Sequence, residues 1–455
     1  MANTLTLNQE LLINIKRIGI NGEGIGYYKR LAVFVDGVLP GENVVVRISE
    51  LYDTYAKAVF VRFKNEPSPD RVRPICPNYT KCGGCQLMHM NYEAQLATKK
   101  NLVVEAFNRY FNGTLNEKVF KDTIGADDPW CYRNKVKRPV RYDGEKLVTG
   151  LYEAGSNRLI YIDKCHVEDK YITNAMKEIC EYLSKYQVIA YNPRLREGIL
   201  RDIVIRISEK TKDMQVTLIL YKKDERTLKI AKGLLTINKV VSVYYSVNSD
   251  LEGIENFGEK TTYLIGEETI FDDLDGLRFE ILPNAFFQLN HAQTEKLYKE
   301  AIRLGHFKGY ENVIDAYCGV GTIGLYASKY VKEVRGIDIN KEGIINAKKN
   351  AEINNIKNAK FYSGNILPHL YDFEKKEFVP DVLIVDPPRT GLDINFIRYL
   401  QQHPVKKIIY ISCNPSTLAK NCNHLNNKYH ILVVQPLDMF PQTSAVETIC
   451  ILERR

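Results

Sequence analysis

The stretch Asp315-Ala-Tyr-Cys-Gly-Val-Gly-Thr-Ile-Gly324 decides the fold. It closes an apolar strand, Val313-Ile-Asp-Ala-Tyr317, and opens a helical segment. Gly319 and Gly321 let backbone approach a ligand closely. Asp338 follows 19 residues after Gly319, at the tip of the next strand, Glu333 to Asp338. An acid in that place accepts both hydroxyls of a ribose. From about residue 290 the texture is strand, glycine turn and helix, repeated, with further strands at Val379 to Val385 and Lys407 to Ser412. This predicts a doubly wound parallel sheet, whose ligands lie beyond the carboxyl ends of the strands. The glycine loop alone suits NAD or S-adenosylmethionine. An acid ahead of the glycines, and a Gly-x-Gly without the extended dinucleotide spacing, favour S-adenosylmethionine. Asn365, after the third strand, is a further candidate, near the adenine.

The same crevice collects reactive groups. Ile384-Val-Asp386-Pro-Pro-Arg389 follows the fourth strand, and the two prolines fix the loop that carries Asp386. Arg389 stands where methyltransferases acting on nitrogen tend to carry a stacking aromatic. Ser412-Cys413-Asn414-Pro415 follows the fifth strand and brings a thiol. A thiolate adding to C6 of uracil turns the weakly nucleophilic C5 into an enolate carbon able to take a methyl group. The C5 proton must then leave to a base. Met439-Phe-Pro-Gln-Thr-Ser-Ala-Val-Glu447, after the sixth strand, offers Glu447.

Taken together, Asp-Pro-Pro-Arg, Ser-Cys-Asn-Pro and Phe-Pro-x-Thr-x-x-x-Glu resemble the bacterial 23S ribosomal RNA uracil-C5 methyltransferase family, over essentially the whole chain. The resemblance implies Cys413 as nucleophile and Glu447 as general base. It also implies S-adenosylmethionine contacts at Gln288, Tyr317, Asp338 and Asp386, with Thr322 and Asn365 nearby. Gln288 lies in Phe286-Phe-Gln-Leu-Asn290, where either phenylalanine is a candidate to stack on a displaced base or to fill the core. Gln442 departs from the family, in which many members carry His, and Ala445 and Val446 also differ from the commoner residues.

Residues 1–63 hold several short strands separated by glycine-rich turns, as in a small oligonucleotide-binding barrel. Gly22, Gly24 and Gly26 read as a turn or bulge, because no helix follows them to make a phosphate loop. The resemblance makes the barrel a TRAM domain. Pro67 to Pro77 reads as a linker, followed by a helix over Tyr92 to Phe111 and a β-rich region from about 130 to 287. Cys76-x5-Cys82-x2-Cys85 wants a fourth ligand, for which Cys165 is the candidate. Four thiolates suit zinc or a [4Fe–4S] cluster. The resemblance favours the cluster, in a structural role. The expected domains are 1–63, the barrel; 64–285, a central α+β domain bearing the cluster and gripping RNA; and 286–455, a Rossmann-like methyltransferase domain.

The chain has 455 residues, with Lys+Arg 63 against Asp+Glu 55 and a formal net charge of +8. Residues 1–150 hold 22 Lys+Arg and 16 Asp+Glu, most of that excess. Arg133, Lys135, Lys137, Arg138 and Arg141 fall within nine residues. Strand alternation would set Arg133, Lys135, Lys137 and Arg141 on one face, suited to phosphates. Ten cysteines are too few for a disulfide scaffold. No apolar run is long enough to span a membrane, and Met1-Ala-Asn-Thr-Leu5 lacks the pattern of a signal peptide. The expectation is a cytoplasmic, monomeric enzyme methylating 23S rRNA, its target base flipped or already unpaired. Transfer RNA is the alternative substrate. A non-catalytic iron–sulfur RNA-binding protein is the rival from another class, and it gives no reason for Cys413 and Glu447 to share the nucleotide crevice.

Overall fold

The computed structural model describes residues 5–153, 155–156, 158–250 and 257–455. Residues 1–4, part of the stretch without a signal-peptide pattern, lie outside it. Five strands close the expected barrel: β1 (Glu10–Ile18), β2 (Gly24–Tyr28), β3 (Leu31–Val35), β4 (Asn43–Leu51) and β5 (Tyr55–Phe63), in the order β1-β2-β3-β5-β4. Alternate apolar residues such as Ile13, Ile15, Val33, Val44 and Val46 point inward and form its core. Of the three glycines read as a turn or bulge, Gly22 lies in the turn, and Gly26 pairs with Ile15 at the β1 register shift between Ile15 and Arg17. Gly24 and Gly26 belong to β2. A Cβ on Gly26 would meet the Asn14 carbonyl oxygen at 2.6 Å. Close approach of two barrel strands requires that glycine, a constraint periodicity does not reveal.

Helix α1 (Tyr92–Tyr110) starts at Asn91, whose side chain accepts from the Ala94 N–H. The central sheet comprises β6 (Lys135–Tyr142), β7 (Leu147–Tyr152), β8 (Leu159–Tyr161), β9 (Leu200–Ile207), β10 (Met214–Leu220), β11 (Val240–Val247) and β12 (Thr261–Gly266), in the order β12-β11-β10-β9-β6-β7-β8. Helix α2 (Lys170–Lys185) buries Ile172, Met176, Ile179 and Leu183 against it. Helix α3 (Glu225–Ala231) links β10 to β11, which run parallel. A hairpin, β13 (Ile270–Leu274) and β14 (Leu277–Ile281), follows.

The C-terminal sheet is ordered β17-β16-β15-β18-β19-β21-β20, from β15 (Asn312–Ala316), β16 (Glu333–Asp338), β17 (Ala359–Ser363), β18 (Val382–Val385), β19 (Lys407–Ser412), β20 (Tyr429–Leu437) and β21 (Glu447–Arg454). Helices α4 (His291–Gly305), α5 (Thr322–Ala327), α6 (Lys341–Ile353), α7 (Ile366–Lys375), α8 (Ile394–Gln402) and α9 (Pro415–Leu425) alternate with the strands. The chain reverses order between β15 and β18, which opens the crevice. The sheet is not wholly parallel: β21 inserts antiparallel between β19 and β20.

Packing does not follow the expected boundary at residue 285. Val103, Ala106 and Phe107 of α1, with Phe111 just after it, share one core with Leu418, Cys422 and Leu425 of α9. Phe120 and Ile124 bridge in parallel to Val434 and Leu437, extending the C-terminal sheet past β20. Ile270, Leu274, Phe279 and Ile281 of the hairpin join the core on the opposite face. Chain order carries no sign of these long-range contacts.

Candidate active site

The glycine loop after β15 is set by backbone geometry. Tyr317 adopts φ 68°, Gly319 φ 54° and Gly321 φ 82°, all left-handed. A Cβ on Gly321 would press the Phe361 ring at 2.9 Å. A left-handed tyrosine costs on the order of 1 kcal/mol or more, which the surroundings must offset. The Tyr317 and Cys318 N–H groups both donate to the Ile337 carbonyl, at 3.0 and 3.2 Å. Asp338 holds the loop: its carboxylate accepts from the Gly319 N–H and the Asn340 N–H, each at 2.8 Å. Asn365 precedes α7 with an exposed side chain that makes no capping bond, leaving the amide available. Gln288 is buried, and its backbone carbonyl accepts from the Asn134 side chain at 3.1 Å. Of the two candidate phenylalanines, Phe287 packs against Phe279 in the core, whereas Phe286 is 68% exposed.

Strand register brings the thiol to the carboxylate. β19 and β21 pair with Ser412 opposite Thr448. One step further, Cys413 leaves β19 beside Glu447, where β21 begins. Asp386, at the end of the adjacent β18, completes the group. Burial pushes the Asp386 carboxyl up to about 7. Burial, then the charge of Asp386, raises Glu447 to about 8, while Arg389 acts to lower it. Cys413 is pushed up to about 11 by burial and by Glu447 and Asp386, again opposed by Arg389. Three acidic groups in one desolvated crevice cannot all be charged, so protons are shared among them near neutrality. Such perturbed groups mark functional sites.

Two further residues belong to this crevice: Tyr298, which carries no sequence signal, and Asp315, the acid ahead of the glycines. The Tyr298 hydroxyl on α4 bonds Thr322 Oγ1 at 2.8 Å, and Asp386, Asp315 and Glu447 all act on it. Asp315 is fully buried, with both carboxyl oxygens unpartnered, and burial pushes it well above the ordinary carboxylate range. Its position inside the quoted motif was its only signal. Tyr298 sits in an ordinary amphipathic helix and gave none.

The loop from Asp438 to Val446, which delivers Glu447, is tied from several sides. Lys99 of α1, fully buried, pairs with Asp438 and donates to the Phe440 carbonyl at 3.1 Å. The Tyr92 hydroxyl donates to Asp438 at 2.8 Å. Gln442 exchanges bonds with Gln95: its N–H and side-chain oxygen each meet the Gln95 amide at 3.1 Å. The Ser444 hydroxyl donates to the Ile20 carbonyl in the barrel at 2.9 Å. Gln442 therefore has a structural task, joining the loop to α1.

Cys76, Cys82, Cys85 and Cys165 line one cavity of ≈ 180 Å³, with Arg133, Lys137 and His166 around it. The structure brings the expected set to one place. Among the described residues, however, no group of three His, Cys, Asp or Glu is placed to hold a metal ion. Burial pushes Cys165 up to about 12 and Cys85 higher still, as neutral thiols. The basic stripe divides. Arg138 is buried and pairs with Glu168. Lys135 donates to the Pro283 carbonyl at 3.1 Å, its ammonium held down by burial. Arg133 faces the cysteine cavity. Lys137 and Arg141 line a separate open cleft. Alternation in β6 thus holds as geometry, but neighbouring loops cover half the stripe.

A strand-order reversal and a left-handed glycine loop held by Asp338 form a crevice at the carboxyl end of the sheet, in a domain preceded by a small barrel. Residues 91–455 match the tRNA (uracil-5-)-methyltransferase family, and residues 5–61 match the TRAM domain. An RNA methyltransferase of Bacillus cereus is 41% identical over 453 residues, covering 99% of this chain and 98% of that one. One of Halalkalibacterium halodurans is 40% identical over 451 residues, 98% of this chain and 97% of that one. The solved structure of Pyrococcus abyssi tRNA (uracil-54, C5)-methyltransferase, in complex with S-adenosyl-L-homocysteine, is similar at 27% identity and TM-score 0.76, over 97% of this chain and 100% of that one. The chain belongs to the RNA uracil-5-methyltransferase family and uses S-adenosylmethionine. No helix among the described residues is long and apolar enough to cross a membrane.

Proposed function

We propose that the chain methylates C5 of a uridine in 23S rRNA, with Cys413 as nucleophile and Glu447 as base. The observation that carries this reading is the β19–β21 register, which sets a thiol beside a carboxylate at the carboxyl end of the nucleoside-binding sheet. S-adenosylmethionine, when bound, supplies an electrophilic methyl group. Gln288, Tyr317, Thr322, Asp338, Asn365 and Asp386 would hold it. Cys413, once its proton passes to a neighbouring carboxylate, adds to C6 of uracil, and electron density moves to C5. C5 takes the methyl group as the methyl–sulfonium bond breaks, the electron pair staying on the sulfur of the departing S-adenosylhomocysteine. Glu447 in its ionised form, a stronger base because burial raises its pKa, accepts the C5 proton, and the bond between C6 and the Cys413 sulfur breaks to release the thiolate. Thiol activation belongs to the same shared-proton crevice, because Cys413 alone would stay protonated.

The cysteine set, which resembles that of the ribosomal-RNA members of the family, favours ribosomal RNA; the barrel does not discriminate, since a tRNA enzyme matches it as well. Transfer RNA is the second reading, favoured by the Pyrococcus abyssi tRNA enzyme, which matches the barrel as well as the catalytic domain. Mass mapping of 5-methyluridine in a strain lacking the gene separates them. Loss from 23S rRNA is expected; loss from tRNA alone would transfer the assignment.

We propose that Cys76, Cys82, Cys85 and Cys165 would hold a [4Fe–4S] cluster: the four thiols line one cavity, whose carboxylate, Glu168, is already held by Arg138. The cluster would tie the segment before α1 to the central sheet, a structural task, since the methyl transfer moves no net electrons. Protein purified without oxygen is expected to be brown, with roughly four iron and four sulfide per chain. Stoichiometric zinc without iron would overturn the cluster.

A further inference from the structure

The central sheet carries a second concave surface, away from the methyl-transfer crevice. Strands β6 to β9 and their loops line a cleft of ≈ 1440 Å³, which includes none of the crevice residues. Six cations line it: Lys137, Arg141, Arg158, Arg194, Arg196 and Arg201. Among the described lining residues the only acid is Asp202, 3.6 Å from Lys137. Arg141 donates to the Val140 carbonyl and the Tyr152 hydroxyl, at 2.8 and 3.1 Å. Arg201 donates to the Asn248 and Asp250 carbonyls at 2.6 and 2.7 Å. Those partners orient the two guanidinium groups without neutralising them.

A tight hairpin presents the rest. Asn192 and Glu197 bridge, and the Asn192 side chain accepts from the N–H groups of Arg194 and Leu195. Arg194 and Arg196 are exposed at its tip. Neither they nor Arg158 make an ion pair with any described residue. Aromatic rings alternate with the cations. Tyr142, Tyr152 and Tyr161 are 61%, 43% and 53% exposed within the cleft. Leaving three rings in water beside unpaired arginines favours no folded state by itself. It suits a ligand with repeated negative charges and free planar faces.

We propose that this cleft binds unpaired RNA, phosphates on the arginines and bases on the tyrosines, as an anchor separate from the target uridine. A duplex hides its base faces, so single-stranded or loop RNA is the form it takes. This rests on the reading of the chain as an RNA enzyme but not on its chemistry. The test therefore uses an oligoadenylate of about 12 nucleotides, which contains no uridine to methylate, on the full chain.

Arg141→Ala with Arg194→Ala and Arg196→Ala is expected to weaken binding at least tenfold. It should also flatten the salt dependence by about 2, near 0.7 per lost phosphate contact. Tyr142→Ala with Tyr161→Ala should weaken binding about fivefold or more with the salt slope unchanged, the signature of lost stacking. Melting temperature and S-adenosylhomocysteine binding serve as controls that the chain is folded. Unchanged affinity in both variants overturns the proposal. So does loss of duplex binding with single-strand binding intact. Failure of uracil methylation, with the oligoadenylate results as expected, would instead count against the Cys413 chemistry.

Discussion

Glu447→Gln is expected to leave the chain covalently joined to its RNA, as a slow band on a denaturing gel. Glutamine keeps the shape of the buried side chain but cannot accept the C5 proton. Addition of Cys413 and methyl transfer proceed, and elimination stalls. Cys413→Ala with Glu447→Gln should show no band, and RNA carrying 5-fluorouridine should trap the unsubstituted chain, because fluorine does not leave as a proton. Turnover at the normal rate without an adduct would assign the base elsewhere. A second readout follows from burial. An unfolded chain ionises its Glu and Asp residues near pH 4. In the folded chain Glu447 and Asp386 are raised, to about 8 and about 7. Their contribution to stability is fully present in acid and is lost as pH rises through the folded values. Glu447→Gln removes one such group, so between about pH 5 and pH 8.5 the variant should lose less melting temperature than the parent.

Much of this site was legible because its parts lie at strand ends. The residues after β15, β16, β18 and β19 are found by alternation of strand and helix, and the crevice follows from topology. The β19–β21 register itself is not written in the sequence. Only the structure sets Ser412 opposite Thr448 and so places Cys413 beside Glu447. Charge was the least legible feature. Arg133 and Lys135 look like phosphate ligands from strand alternation, yet backbone carbonyls and the cysteine cavity occupy them. The cations that line the cleft come from segments as far apart as Lys137 and Arg201, which no local window joins. Gln442 was legible only as a departure. Its task appears once α1, more than 300 residues earlier, is seen to lie against it.

Lys99→Met is expected to lower the melting temperature by on the order of 10 °C, from a cost of roughly 3–5 kcal/mol. Lys99 and Asp438 are both fully buried and pair with each other. Burial alone drives the ammonium toward its neutral form, and the Asp438 charge opposes that. Methionine fills similar space but leaves Asp438 as a buried carboxylate with only the Tyr92 hydroxyl to meet it. Removing one partner of such a pair costs more than replacing both. Lys99→Met with Asp438→Asn should therefore recover most of the loss, because an asparagine oxygen still accepts from Tyr92. The pair also holds the loop that delivers Glu447, through the Lys99 bond to the Phe440 carbonyl. The double variant, stable but lacking that bond, should trap 5-fluorouridine RNA at the normal rate, since trapping needs Cys413 and not the base. Its turnover on uridine should be slower, because elimination depends on where Glu447 sits. A single variant that melts within about 2 °C of the parent would show that the interior tolerates the lone carboxylate and that the pair contributes little. Equal turnover in the double variant would confine the pair to stability and leave the placement of Glu447 to Gln442 and Ser444.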